Sequence, residues 1–443
     1  MKKILEVKEF DKITGNPDYK EDSNYKYLEE PAFQNLIDFI KEYVASDNND
    51  DAFDCFKVIT QRGSGDLVIT KKYVGLIQMK NGYQVEILPK ISMGGVDDTN
   101  NRVTKSTFIK MLRCMDDFQS KVFSSANLNI DRMNLYEIFI NMYLQELNSL
   151  VKKGLKSTYI TEEDNLSSFK GKLIIKDQII KSITHKEKFS VVFDEYQINR
   201  PENQLIKSTL LKLNRITERI ENKKNISQLL TYFERVDESI NYVSDFSKVI
   251  IDRTMTDYDL LLKWSRIFLM NKSFTTFSGE TVSRSLLFPM DKLFEGYVSK
   301  NMKKIFAEYN WKVSTQDKGY YLFNEPNDQF ALRPDIVVTK QDGTLVIMDT
   351  KWKSLNNNAR ENYNISQADM YQMYAYARKY EKANNGSIPE VWMLYPLNDE
   401  VRNHDQISYT SGDGVKVHIY FIDLTDIKMS IEKLKIYLIE GTQ

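Results

Sequence analysis

Two carboxylates and one lysine in the last third of the chain have the types and spacing that phosphodiester chemistry requires. Asp335 follows Arg333-Pro334 and opens the apolar run Ile336-Val337-Val338. Asp349 and Lys351 close a second run, Val346-Ile347-Met348, with the turn pair Asp342-Gly343 between the two. On neighbouring strands, Asp335 and Asp349 aim anionic oxygens at one hard cation, Mg²⁺ or Mn²⁺. Side chains alternate along a strand, so Asp349 and Lys351 share a face. The lysine is then placed to orient an attacking water or to stabilise charge on a pentavalent phosphate.

A D-x-K triplet by itself is common and can simply end a strand. Three features here carry more: the Asp-Gly turn makes a hairpin of the two segments, residues 346–348 are wholly apolar, and a charged pair at the end of such a strand is costly unless paired or metal-bound. Together they give the Pro-Asp…Asp-x-Lys pattern of metal-dependent phosphodiesterases. Glu295 lies within the apolar set Leu287, Leu293, Phe294 and Val298, where it is either an additional metal ligand or part of a solvated helix face. After Lys351, two i,i+4 pairs, Gln367/Tyr371 and Gln372/Tyr376, equally offer a Gln and a Tyr to a phosphate or to the lysine strand, and spacing does not choose between them.

The elements that must position these groups follow from periodicity. A helix is expected over 286–309, strands over 311–314, 319–323, 335–339 and 345–352, a helix over 366–383, strands over 391–395 and 415–422, and a helix over 427–438. Upstream, residues 31–44 read as helix. Residues 55–91 read as a small antiparallel β unit, with Asn81-Gly82 as a hairpin turn and Pro89 ending its last strand. Helix returns over 104–153, residues 159–196 are extended, and one long helix is expected over 203–222, followed by helix at 226–243 and 257–271. A Ser/Thr/Gly-rich stretch at 271–280 marks a boundary. The expected fold class is α+β and α/β, multidomain: a β-rich N-terminal region 1–100, a mostly helical middle 101–275, and a restriction-endonuclease-like PD-(D/E)xK domain over 280–443.

Composition bounds the rest. The 443 residues are 42% hydrophobic and 28% charged, with 61 Lys+Arg against 62 Asp+Glu, so a uniformly basic nucleic-acid coat is excluded. Two cysteines, Cys55 and Cys114, make neither a disulfide framework nor a cysteine-rich zinc site, and with only His185, His404 and His418 a catalytic metal must sit on carboxylates. No leader-like or membrane-spanning apolar run is present, which points to a cytoplasmic protein. No GxxxxGK[ST] loop exists, so no nucleotide site is expected here and motor activity must come from another polypeptide. The densest basic stretch, Lys170, Lys172, Lys176, Lys181, Lys186 and Lys188, is either a phosphate track or a solvated face.

Assembled, these residues resemble the McrC family, the nuclease subunit of modification-dependent restriction systems, and the related LlaJI-type proteins. Val74-Gly75-Leu76-Ile77 with Val85-Glu86-Ile87-Leu88-Pro89-Lys90-Ile91 is similar to the family's N-terminal signature. Gly171-Lys172-Leu173, Phe193-Asp194-Glu195-Tyr196 and Asn199-Arg200-Pro201-Glu202-Asn203 resemble its central block. Leu332-Arg333-Pro334-Asp335-Ile336-Val337 with Asp349-Thr350-Lys351-Trp352-Lys353 resembles its nuclease core, and Gln372-Met373-Tyr374-Ala375-Tyr376 the helix after it, which favours Gln372 over Gln367. The chain is longer than compact members. The resemblance implies a Mg²⁺-dependent endonuclease acting on double-stranded DNA, docked through its N-terminal region on an McrB-like AAA+ GTPase ring whose hydrolysis it stimulates. The competing expectations are a non-cleaving activator of such an NTPase and a RecB-like repair exonuclease.

Overall fold

The computed structural model describes all residues except 1–3, 46–54, 64, 80–82, 92–100, 116–133, 182–186, 251–254, 271–283 and 441–443. The Asn81-Gly82 turn, the 271–280 stretch, His185 and Lys186 therefore lie outside the described residues, as does the side chain of Lys181. The chain divides into two compact units: Met1–Gln119 with Ser125–Leu135 and Ser273–Gln443, and Ser120–Ser124 with Tyr136–Lys272. Among the described residues no helix is long and apolar enough to cross a membrane.

The first unit opens with β1 (Ile4–Lys8), β2 (Lys12–Thr14), β3 (Tyr25–Tyr27), α1 (Glu30–Ala45), β4 (Phe56–Gln61), β5 (Gly65–Thr70), β6 (Tyr73–Gln78), β7 (Gln84–Leu88) and α2 (Arg102–Leu112). The expected single antiparallel unit is instead split between two sheets. β4 and β5 join a sheet ordered β3-β2-β5-β4, while β6 and β7 belong to another in which β1 lies parallel to β7. Local patterning names strands but not their partners, because partners distant in sequence decide the sheet. The apolar face of α1 (Phe33, Leu36, Ile37, Ile40) closes the core against Val7, Ile13, Val68, Ile77 and Ile87. Glu86, buried in β7, accepts from Lys105 Nζ of α2 at 3.1 Å and from the Leu135 amide at 2.7 Å.

The second unit holds α3 (Leu135–Lys153, entering from the first), β8 (Thr158–Leu166), β9 (Lys172–Leu173), α4 (Ile175–Lys181), β10 (Phe189–Gln197), α5 (Pro201–Ile216), α6 (Ile220–Leu230), α7 (Tyr242–Lys248) and α8 (Thr256–Met270). The strands form a β8-β10-β9 sheet. The helix expected over 203–222 is two helices. Thr217 turns extended, and the buried Glu137 carboxylate takes its hydroxyl at 2.6 Å, the Glu218 amide at 2.9 Å and the Asn222 side chain at 2.7 Å. Three donors on one buried carboxylate outweigh a continued helical ladder.

The chain then returns to the first unit with β11 (Arg284–Pro289), α9 (Met290–Ala307), β12 (Lys312–Thr315), β13 (Tyr320–Phe323), β14 (Gln329–Leu332), β15 (Ile336–Thr339), β16 (Leu345–Thr350), α10 (Gln367–Tyr380), β17 (Glu390–Pro396), β18 (Gln406–Thr410), β19 (Lys416–Ile422) and α11 (Ile427–Glu440). The expected helix start at 286 is a strand: Leu286-Leu287-Phe288 is a short apolar run that periodicity cannot separate from buried helix. Its last residue, Pro289, N-caps α9. β11 pairs antiparallel with β6, giving the order β1-β7-β6-β11. The expected regions 1–100 and 280–443 thus share a sheet and one unit, because a strand of the later segment completes the earlier one's edge.

The C-terminal sheet is mixed, ordered β12-β15-β16-β17-β19-β18. Ile347, Met393 and Ile419 bury one face with Met373 and Ala377 of α10. Tyr420, pointing to the other face, donates to Ser430 O of α11 at 2.7 Å. β16 and β17 are buried along nearly their whole length, which is why they read as continuous apolar runs.

The β6–β11 pairing depends on Gly75, opposite Leu287 with φ +144°; a Cβ there would meet Leu286 O at 1.8 Å. Gly75→Ala should push β11 off β6 and destabilise the chain by about 3 kcal/mol. Thermal unfolding followed by circular dichroism checks this, and an unchanged melting temperature would contradict the pairing.

Candidate active site

β15 and β16 pair antiparallel with Ile336 opposite Met348, so the register carried one step further sets Asp335 opposite Asp349. Opposed residues of an antiparallel pair share a face. The turn that fixes this register is the one expected: Gly343 sits at φ +83°, its amide donates to Lys340 O at 3.1 Å, and Asp342 accepts from the Thr344 amide at 2.9 Å. Asp335 is held by its neighbour strand. Its Oδ2 accepts from the Thr350 amide at 2.8 Å and the Thr350 hydroxyl at 2.6 Å.

Lys351 stands just past β16, its amide donating to Leu394 O of β17 at 2.9 Å. Its ammonium lies 2.5 Å from Asp349 Oδ2, donates to Gln372 Oε1 at 3.0 Å and is 3.9 Å from Asp369. Gln372 in turn donates to the Tyr376 hydroxyl at 2.7 Å. Gln367 and Tyr371 also bond, at 2.6 Å, but on the exposed side of α10. Both pairs satisfy the i,i+4 rule, yet Gln372 is the one bonded to the lysine. Asp369, not foreseen from the sequence, pairs with Lys353 at 2.6 Å and is 9% exposed. Its signal was available: residues 369, 372 and 376 recur on one helical face.

Burial sets the electrostatics. Asp349 is 2% exposed, and desolvation, reinforced by the Asp335 charge, pushes its carboxyl up to about 6 against the pull of Lys351. Asp335 is raised too, mainly by burial. Glu295, on α9, is raised to about 7 by burial and by Asp335 and Asp349, while accepting from Gln316 Nε2 at 2.5 Å. Gln316 also donates its amide to Asp335 O at 3.1 Å, tying Glu295 to the aspartate pair. Asp349 Oδ2 accepts no hydrogen bond of good geometry although it is buried. Its close polar neighbour is the Lys351 ammonium. Among the described residues, however, no three His, Cys, Asp or Glu side chains already converge on one point. Thr350 occupies one oxygen of Asp335 and Gln316 one of Glu295.

The N-terminal sheet reaches this site within the same unit. Glu9, 3% exposed, accepts from Trp352 Nε1 at 3.0 Å and from the Lys90 amide at 3.0 Å, and Trp352 packs on Phe294 of α9 with ring centroids 5.6 Å apart. Residue 9 and residue 352 give no sequence signal of each other. The basic stretch of the second unit is partly engaged: Lys170 lies 3.6 Å from Glu195 and 3.9 Å from the Phe193 ring centroid.

Comparison with known proteins gives a consistent family. The family model "McrBC 5-methylcytosine restriction system component" matches residues 68–396. A search of the curated proteins finds no significant match. Among solved structures, the refined half-complex from a tetradecameric assembly of Thermococcus gammatolerans McrB AAA+ hexamers with bound McrC aligns with a TM-score of 0.72. That alignment is 17% identical and covers 99% of this chain and 100% of that one. The cryo-EM structure of the Thermococcus gammatolerans McrBC complex aligns with a TM-score of 0.49 at 19% identity, over 70% of this chain and 89% of that one.

The raised carboxyl of Asp349 makes a signed prediction for the metal-free chain. A folded-state pKa above the ordinary 3.8 means the folded chain holds that proton more tightly than the unfolded one. The contribution is complete below the ordinary carboxylate range and lost as pH rises through about 6. Asp349→Asn should therefore melt higher than wild type near pH 8 in EDTA, by on the order of 1–2 kcal/mol, with the gap closing near pH 4. A variant less stable than wild type at pH 8 would mean the carboxylate is there for the fold.

Proposed function

This chain belongs to the McrBC restriction-system component family, and from that premise we propose that it is the metal-dependent DNA endonuclease subunit of a two-component, GTP-dependent restriction complex. The observation that carries the reading is the register that opposes Asp335 and Asp349, with the buried Asp349 Oδ2 against the Lys351 ammonium.

Asp335 and Asp349 would hold Mg²⁺ or Mn²⁺, with Glu295 as the further carboxylate. An all-oxygen donor set suits a hard cation. Bound there, the cation supplies a polarised phosphoryl oxygen and a water of lowered pKa. The chain's own residues do the rest. Lys351 directs an ammonium at the same space as Asp349, where it holds a water or offsets charge building on the phosphate. Gln372 and Asp369 keep that ammonium in place, and Tyr376, neutral because burial pushes its phenol up, holds Gln372. Thr350 fixes Asp335 by two bonds, so little reorganisation is needed when charge develops.

The fold likeness to a structure of McrB AAA+ hexamers with bound McrC supports an McrB-like AAA+ ring as the partner, and membership of a restriction-system family supports double-stranded DNA as the substrate. The absence of a phosphate-binding GxxxxGK[ST] loop agrees with nucleotide hydrolysis on a second polypeptide.

Plasmid cleavage with Mg²⁺, the partner ring and GTP tests this. Asp349→Ala and Lys351→Ala should each lower the rate by about 10²–10³-fold or more while partner binding persists. EDTA should stop cleavage, and Mn²⁺ should restore it. Wild-type rates from either variant would overturn the assignment, and a wild type that raises GTP turnover but never cuts circular DNA would make the chain an adaptor.

A further inference from the structure

A groove of about 500 Å³ runs along α9. Glu295 and Gln316 both line it, and the Gln316 amide bonds Asp335 O, so two lining residues adjoin the candidate site. Along it stand Lys292, Lys300 and Lys303, all exposed. Among the described residues none of the three ammonium groups is paired with a carboxylate; Lys303 donates to the Thr315 hydroxyl at 3.1 Å. In a chain of net charge −1, three unpaired lysines on one helical stretch are a local departure from balance.

Gly296 is a second, independent sign. It lies in the interior of α9 and lines the same groove. Glycine inside a helix costs about 1 kcal/mol relative to alanine. A Cβ there would meet nothing within 4 Å, so packing in this chain does not require its absence. The position leaves the helix backbone open to close approach from outside.

We propose that this groove is the track for the phosphodiester backbone of the DNA strand entering the site, with Lys292, Lys300 and Lys303 on phosphates spaced along it and Gly296 leaving room for the sugar-phosphate chain. Lys292 and Lys303 are eleven residues, about three turns and 16 Å, apart and therefore on nearly the same side of the helix. That span accommodates several nucleotides at about 3.4 Å of rise per nucleotide. The assignment rests on the nuclease reading for its direction toward the site, but its test does not need cleavage.

The full-length chain in EDTA is titrated with a fluorescein-labelled duplex at several salt concentrations, reading anisotropy. Each lysine changed to alanine should flatten the slope of log K against log salt by about 0.9, and the triple variant by about three times that. Lys57→Ala and Lys416→Ala, on β4 and β19, should leave the slope unchanged. Gly296→Gln, a substitution that favours helix, should keep or raise the melting temperature and yet weaken binding. The native thiols supply a footprint: Cys55 is wholly buried, whereas Cys114 is half-buried on the groove. Duplex should slow maleimide labelling of Cys114 in the wild type and not in the triple variant. Absence of duplex binding by the wild-type chain, an unchanged slope in the triple variant, or Cys114 labelling indifferent to duplex would each overturn the track. A triple variant that loses slope in a chain that never cuts plasmid would remove the nuclease reading and leave the track standing.

Discussion

A carboxylate held almost out of water is the constraint around which this structure is arranged. Asp349 ends a strand whose preceding residues are buried on both faces, and desolvation alone would neutralise it. The chain answers with one ammonium, Lys351, and then spends Gln372, Asp369 and Tyr376 on keeping that ammonium where it is. Asp335 opposite adds repulsion. The raised carboxyl of Asp349 and the ion pair that answers it thus come from the same burial.

The support for that strand comes from far away in sequence. Glu9, at the end of the first strand, caps the Trp352 indole immediately beyond Lys351, while β11 closes the N-terminal sheet and hands the chain directly into α9, which carries Glu295 and Phe294. The conspicuous Glu86 of the N-terminal block is an ion-pair and amide acceptor for Lys105 and Leu135, a structural part. The region expected as a separate docking module is therefore also part of the scaffold of the candidate site. Severing the chain near 280 would remove a strand from one sheet and a wall from the site together.

The candidate site was legible in the sequence to an unusual degree because its parts are local. Asp335, Asp349 and Lys351 fall within seventeen residues, and the Asp-Gly turn between them fixes the register that opposes the two carboxylates. The alternation rule then sets Lys351 on the side of Asp349. Helical spacing likewise named both Gln/Tyr pairs of α10, and five of the six strands of the C-terminal sheet were expected; β18, only half-buried, was not. What the sequence determined by itself was this hairpin geometry, because short-range geometry depends on backbone periodicity and turn stereochemistry alone.

Tertiary structure decided everything that needed a partner distant in sequence. It selected Gln372 over Gln367, since only one of two equal pairs meets the lysine. It turned 286–289 from helix to strand, since a short apolar run takes the form of the edge it completes. It broke the helix at Thr217, where a buried Glu137 offered its donors a better acceptor. It brought Glu9 to Trp352 across 343 residues. Propensity and periodicity act over a few residues, whereas burial of a charge or an apolar strand is settled by whichever surface arrives, and no local pattern encodes that arrival.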